Sequence, residues 1–510
     1  ATEFNSDSDD DDDDDDDFDD DPTTKASRKS LLCRPRWLAA CLAVGVAAYW
    51  LGRVRFPGRV QLAPAWRARH VALACAGVGS ATARRLQGNT SKEKKKRKRA
   101  AIFDPMFLSK FRFRSTGREM PYYGSADIQQ DVPSAARLAI FTIHGARRNS
   151  QDYFCDLVRG FSEGPMWTSS QAQGLSRDQL LLISPKFHYP ADSPSAHEVR
   201  WNGSGAEGDW KRGASTVYPP HYSSFGVLDS MLIHLSNRQY FPSLEMVVFM
   251  GHSAGGQFIQ RYALVTRLKP PGLATLFPGE TELLREDIKV RYVVVNPSSY
   301  AYLDRKRWVY DWDDAAKDFT RGVLREYDAA RGRESWRPKD RSAADWGFRV
   351  AQYHAQDRLL YPFVCRDPAF NDWGYGLGNV GNASSSTFSL VPYVGSRPNV
   401  MLMTDRYKQR DVVYLVGQND TCTDDMLINN YCLPSCWHPK CYRTIMDVRC
   451  PAMLEGPNRN MRGKNYMRHL EDFYGHPVHE LYEVPNVGHQ GGKMFLSTVS
   501  QRAIFGVWPL

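Results

Sequence analysis

Leu244-Glu245-Met246-Val247-Val248-Phe249-Met250-Gly251-His252-Ser253-Ala254-Gly255-Gly256 is the stretch whose reading decides the fold. An apolar run ending at glycine reads as a buried strand. The residues after it, Gln257 to Thr266, carry Phe258, Ile259, Tyr262, Ala263 and Val265, enough for the buried side of a helix. Between strand and helix stands the pattern G-x-S-x-G. A serine on so sharp a turn needs neighbours without bulk: Gly251 and Gly255 lack the Cβ that would collide, and Ala254 and Gly256 keep crowding low. The competing reading is a glycine-rich turn with an incidental serine, so the partners decide.

The partners follow in the order Ser, Asp, His. The apolar run Val290 to Asn296 comes first, and the run Val412 to Val416 then ends in Gly417-Gln418-Asn419-Asp420. Leu481 to Val484 leads into Pro485-Asn486-Val487-Gly488-His489. Each polar residue thus lies just past a strand, where loops from one sheet edge can converge. Serine is a weak nucleophile at its free pKa, so His489 is expected to take its proton and Asp420 to fix the imidazole tautomer and stabilise its cation. Asp424 and Asp425 are fallback acids further from the strand. This order on this turn defines the expected fold: α/β, an α/β-hydrolase with a mostly parallel central sheet flanked by helices. The run Leu138 to Ile143 ends in His144-Gly145-Ala146-Arg147, so the backbone N–H groups of Ala146 and Ala254 are the expected oxyanion donors. One such donor contributes roughly 3–4 kcal/mol in other enzymes. Arg147 and Arg148 are either binders of an anionic substrate group or solvated side chains.

Around the elbow the sequence runs Gly251 to Gln257 and on through Gln260-Arg261-Tyr262-Ala263. Upstream stands Ser223-Ser224-Phe225, and downstream Asn296-Pro297-Ser298-Ser299-Tyr300 and Glu455-Gly456-Pro457-Asn458-Arg459. Together these resemble a family of largely uncharacterised α/β-hydrolases of bacteria, fungi and protists, over roughly Arg137 to Leu510. The resemblance implies the hydrolase fold and the roles of Ser253, Asp420 and His489. It implies no substrate, because one fold hosts many chemistries.

The chain has 510 residues and is 42% hydrophobic, ample for a sizeable core. Its net charge of +9 is segregated. Residues 1–21 hold fourteen acids and no base, residues 22–100 nineteen Lys/Arg and one acid, which leaves +5 for residues 101–510. That mildly basic remainder gives no reason to expect nucleic acid as a partner. Residues 1–36 read as a disordered tail, acidic through Asp9 to Asp17 and then basic. Residues 37–52 are uncharged with Trp37, Tyr49 and Trp50 near the ends, a candidate membrane anchor or targeting segment, although spanning takes about 20 residues. Residues 53–100 read as a basic disordered linker closing on Lys92 to Arg99. Residues 101–510 are the expected hydrolase domain, membrane-associated and facing a lumen or the exterior.

Ten cysteines bear on that compartment. Cys422, Cys432, Cys436, Cys441 and Cys450 crowd the segment after Asp420, and disulfide staples are the favoured reading. A zinc set of Cys432, Cys436, His438 and Cys441, or free thiols, are the alternatives. Sequons at Asn202 and Asn382 fit an oxidising compartment, whereas the one at Asn419 adjoins the proposed acid.

Residues 304–398 form an aromatic-rich insertion, expected to cap the site between the sixth and seventh strands, with helices around Asp313 to Ala330 and Ser342 to Gln356. The aromatics either line an acyl pocket or pack the cap onto the sheet. The chain is thus expected to be a serine hydrolase of carboxylic esters, lipid-like acyl esters included, that needs no metal or cofactor. An amidase or peptidase would use the same residues, and a catalytically silent scaffold is the reading from another class. Metal-dependent hydrolysis through His144, His252 and Asp420 lacks a helix-borne H-E-x-x-H pair.

Overall fold

The computed structural model describes residues 107–162, 164–203, 209–218, 221–268, 285, 287–309, 312–313, 318–319, 323–326, 368–381, 390–395, 398–421, 446–447, 450–456 and 458–506. Eight strands form one sheet: β1 (Phe107–Arg112), β2 (Glu119–Gly124), β3 (Leu138–Ile143), β4 (Leu180–Pro185), β5 (Met246–His252), β6 (Lys289–Val295), β7 (Asp411–Gly417) and β8 (Glu480–Val484). Their order is β1-β2-β4-β3-β5-β6-β7-β8. The first two strands run antiparallel, and β4 to β8 are joined by parallel pairings in register, such as Phe249 opposite Tyr292 and Tyr414 opposite Val294. This is the α/β-hydrolase fold.

The central strands are apolar along their whole length because both faces are covered. Every residue of β3 and of β5 is buried. Side chains alternate across the sheet. Leu138, Ile140, Met246 and Val248 enter one core with Phe154 and Leu157 of α1 (Ser150–Ser162), while Ala139, Phe141, Val247 and Phe249 enter the other with Phe258 and Tyr262. Those last two belong to α4 (Ala254–Val265), all twelve residues of which are buried. Shorter or more peripheral helices are α2 (Pro165–Ala172), α3 (Ser224–Leu235), α5 (Val400–Gln409), α6 (Arg459–Tyr474), α7 (Gly491–Phe495) and α8 (Thr498–Phe505).

The strand order reverses beside β3: the chain passes from β3 to β4 on one side and then to β5 on the other. Loops leaving the carboxyl ends of strands at such a switch point part to leave a crevice, and it is there that β3, β5, β7 and β8 deliver their loops.

The insertion differs in part from expectation. Lys306–Val309 pairs with Val323–Glu326, and Trp312–Asp313 with Asp318–Phe319, both antiparallel, where a helix from Asp313 is expected. Trp312, Phe319 and Val323 are residues that favour a pleated ribbon, and tertiary pairing overrides the helical pattern. The second expected helix, Ser342 to Gln356, lies outside the described residues. Phe370, Trp373 and Tyr375 are buried, with Trp373 Nε1 donating to Arg212 O at 2.6 Å. These three aromatics pack the insertion onto the body.

The expected membrane link is corrected. Among the described residues no helix is long and apolar enough to cross a membrane. The longest, α6, has 16 residues and a polar composition. The 37–52 segment lies outside the described residues, and its uncharged run also falls short of the roughly 20 residues a span takes. The membrane-associated, lumenal or extracellular localisation built on it goes with it. The tail, the linker and Cys422 to Cys441 likewise lie outside the described residues. Cys155, on α1, is disulfide-bonded.

Candidate active site

Ser253 sits between β5 and α4 at φ 58° and ψ −117°. Its N–H donates to Val295 O at 2.9 Å and its carbonyl accepts the Gln257 N–H at 3.0 Å. The glycines have a steric reason. A Cβ on Gly251 would lie 2.2 Å from Gly255 O, one on Gly255 2.2 Å from Ile143 O, and one on Gly256 2.6 Å from Val295 O. The turn therefore packs directly on the ends of β3 and β6.

Asp420 stands three residues beyond β7 and His489 five beyond β8, and the structure brings both to Ser253. His489 Nε2 lies 3.0 Å from Ser253 Oγ, and His489 Nδ1 lies 2.7 Å from Asp420 Oδ2. The two loops are tied together. Gln418 N–H donates to Val484 O at 3.0 Å and Asn419 N–H to Val487 O at 2.8 Å. Gly417 has no room for a Cβ, which would meet Val487 O at 2.5 Å. Asn296, at the end of β6 with φ 45°, clamps both: its Oδ1 accepts the Gly417 N–H at 2.8 Å and its Nδ2 donates to Gly488 O at 3.3 Å.

Burial pushes the Asp420 carboxyl up, but the charges of His489 and Arg459 and their contacts outweigh it, so the group ends below the usual carboxylate value. Burial pushes His489 down, Arg459 pushes it further, and Asp420 pulls it back only in part, leaving it below 6.5. The imidazole is therefore neutral at pH 7, with Nδ1–H donating to Asp420 and the Nε2 lone pair facing the serine hydroxyl.

The β3 end lies beside the serine: a Cβ on Gly145 would be 3.7 Å from Ser253 Cβ. The Gly145 backbone hydrogen-bonds the Tyr153 hydroxyl, which in turn sits 2.9 Å from His252 Nδ1. Ala146 comes next in the turn closed by Arg148 N–H donating to Gly145 O at 3.1 Å. Ala254 opens α4, so its N–H is a first-turn donor with no acceptor within the helix. Arg148, at φ 53°, is held rather than free: Nε donates to Asp192 Oδ2 at 2.8 Å, Nη1 to Ala146 O at 3.2 Å, and the guanidinium lies over the Tyr189 ring at 4.2 Å. Arg147 is exposed.

The metal alternative finds no assembled ligand set. Phe187 N–H donates to His144 Nε2 at 3.1 Å, so Nδ1 carries the proton and donates to Gly145 O at 2.9 Å. Burial pushes His144 down to about 4 and His252 well below 6.5. Among the described residues no group of three or more His, Cys, Asp or Glu is placed to hold a metal.

Reading the sequence for catalytic residue types singles out Ser253, Asp420 and His489 as candidates, which the structure brings together, and does not single out Asn296, Arg459 or the Arg148–Asp192 pair, which lie against them or the adjoining turn. Asn296 and Arg459 stand out in the sequence only as members of short motifs, since their partners lie far away along the chain.

No family model matches the sequence, and no curated protein matches it. Solved structures similar to it include a poly(3-hydroxybutyrate) depolymerase from Bordetella parapertussis, 17% identical over 78% of this chain and 87% of that one, with a TM-score of 0.38. A poly(aspartic acid) hydrolase-1 from Sphingomonas sp. KT-1 is 16% identical over 78% and 97%, at 0.38. An S-formylglutathione hydrolase from Agrobacterium tumefaciens is 12% identical over 78% and 92%, at 0.32. The fold rests on the strand order and the elbow, not on these scores.

Proposed function

We propose that the chain is a serine hydrolase that cleaves carboxylic esters of small molecules through an acyl-enzyme. One observation carries the reading: His489 lies within hydrogen-bond distance of Ser253 Oγ through one ring nitrogen and of Asp420 through the other. In this scheme Ser253 Oγ attacks the ester carbonyl while His489 Nε2 takes its proton. Asp420 stabilises the imidazolium, and the N–H groups of Ala146 and Ala254 hold the oxyanion. The imidazolium then protonates the leaving alcohol, and His489 next activates water to release the acid and free the serine. Ser253 is 9% exposed. On the motifs at Asn296 to Tyr300 and Glu455 to Arg459 we place the chain with the largely uncharacterised hydrolases it resembles.

The test is hydrolysis of p-nitrophenyl esters of increasing acyl length beside the matching anilides. Ester turnover that falls by 10³-fold or more in Ser253→Ala is expected, on the order of the loss when a triad member is removed. Anilide turnover exceeding ester turnover would move the assignment to an amidase. Equal rates in wild type and variant would leave a fold retained for binding.

A further inference from the structure

The Gly456-Pro457-Asn458-Arg459 motif has no part in the steps above, yet it ends against the acid. Arg459 is the first residue of α6 and is completely buried. Its Nε donates to Ser298 Oγ at 3.1 Å, and its Nη1 lies 3.7 Å from Asp420 Oδ1, an ion pair rather than a hydrogen bond. Oδ1 is the carboxylate oxygen that His489 leaves unused, since His489 engages Oδ2. Residues on either side fix the same turn. Asn458 caps the helix by accepting the Met461 N–H at 2.9 Å. Asn460 N–H donates to Asp420 O at 3.1 Å, and its Nδ2 donates to Gly417 O at 3.0 Å. Ser298 belongs to the Asn296–Tyr300 motif, so the two downstream motifs meet at the Arg459 guanidinium. A buried ion needs a partner for each exposed lone pair, and the N-terminus of a 16-residue helix adds a favourable dipole.

We propose that Arg459 is a positioning residue of the hydrolytic centre: its guanidinium holds the outer oxygen of Asp420 so that the inner one stays aimed at His489 Nδ1. The proposal rests on the serine-hydrolase reading. His489 is faced by Asp420 from the β7 loop, by Arg459 from α6 and by His252 from β5, whose ring lies 4.6 Å away between centroids. His252 is itself held neutral, burial being the main cause. Arg459 is pushed down to about 10 by burial first and remains a cation at neutral pH, with Arg462 and Asp447 acting on it from α6 and the segment before it. Because Arg459 is a charge that lowers His489, removing it raises the pH at which the imidazole takes a proton, and the acid limb of the activity profile moves up.

The test is the pH dependence of fluorophosphonate modification in the 510-residue chain. In Arg459→Met the acid midpoint is expected to rise by roughly one unit, making modification about tenfold slower one unit below the wild-type midpoint. In Arg459→Lys, which keeps a charge, the midpoint should lie nearer the wild-type value. An unchanged midpoint in folded Arg459→Met overturns the proposal. Since loss of a buried cation can unfold the chain, Asp420→Asn is also compared with Asp420→Asn/Arg459→Met, where no charge is stranded. The same upward shift is expected there, and its absence is equally fatal. A folded wild-type chain that takes up no probe at any pH refutes the serine-hydrolase reading, and the role of Arg459 falls with it.

Discussion

At the scale of single residues, the backbone of Ser253 is held where non-glycine residues seldom go, at a cost of order 1–3 kcal/mol. The hydrogen bonds to Val295 and Gln257, and the glycines that let β3 and β6 close on the turn, keep it there. Asn296 does the corresponding work for the other two loops. Asn296→Gly keeps the left-handed backbone accessible but strands the Gly417 N–H and frees Gly488 O. Thermal or denaturant unfolding should show a loss of about 1–3 kcal/mol, and ester kcat/KM should fall roughly tenfold through misplacement of His489. Wild-type values for both would show that the clamp is idle. The three candidate site residues are legible in the sequence because nucleophile, acid and base are different chemical types in a fixed order. Asn296 and Arg459 are not, because asparagine and arginine have many uses and only tertiary contact reveals which one applies.

At the scale of elements, the turn Gly145–Arg148 is braced from outside itself. Asp192 accepts from Arg148 Nε and also from the Tyr189 N–H at 2.7 Å, so the loop after β4 fastens the turn that bears the proposed donor Ala146. An oxyanion donor acts on the transition state rather than on bound substrate. Asp192→Ala should therefore lower kcat for esters about tenfold with little change in KM. A raised KM at unchanged kcat would assign the loop to substrate binding instead. The strands are legible for a physical reason. Apolar runs such as Leu138 to Ile143 and Leu244 to Met250 are best buried on both faces, and their ends coincide with the observed strands to within two residues. The insertion is less legible because its aromatics satisfy a helical pattern, a ribbon or a packing surface equally well. At Trp312–Asp313, Asp318–Phe319 and Val323–Glu326 cross-strand pairing decides.

At the scale of the whole molecule, several histidines are folded in as neutral groups and tie stability to pH. His479 is buried with Nε2–H donating to Tyr407 O at 2.8 Å, and burial pushes it down to about 4. The unfolded chain binds a proton there near 6.5 and the folded chain does not. This contribution is therefore intact above pH 6.5 and is lost as pH falls towards 4. Asp156, pushed up to about 6 by burial, works in the opposite sense, so the comparison must be with a variant. His479→Gln should lose roughly 2–3 kcal/mol less than wild type between pH 6.5 and 4 in denaturant titrations. Parallel curves would mean that His479 is protonated in the folded state. The charge segregation of the first hundred residues says little about this body, and the membrane reading drawn from them does not survive. Whether Ser253 is an activated nucleophile is decided by peptide mapping after fluorophosphonate treatment at pH 7.5. A single adduct on Ser253 is expected, absent in Ser253→Ala and slowed at least a hundredfold in His489→Ala, in line with the 10²–10⁴-fold typical of a general base. Wild-type protein that is folded and unlabelled, or labelled equally fast without His489, would contradict it.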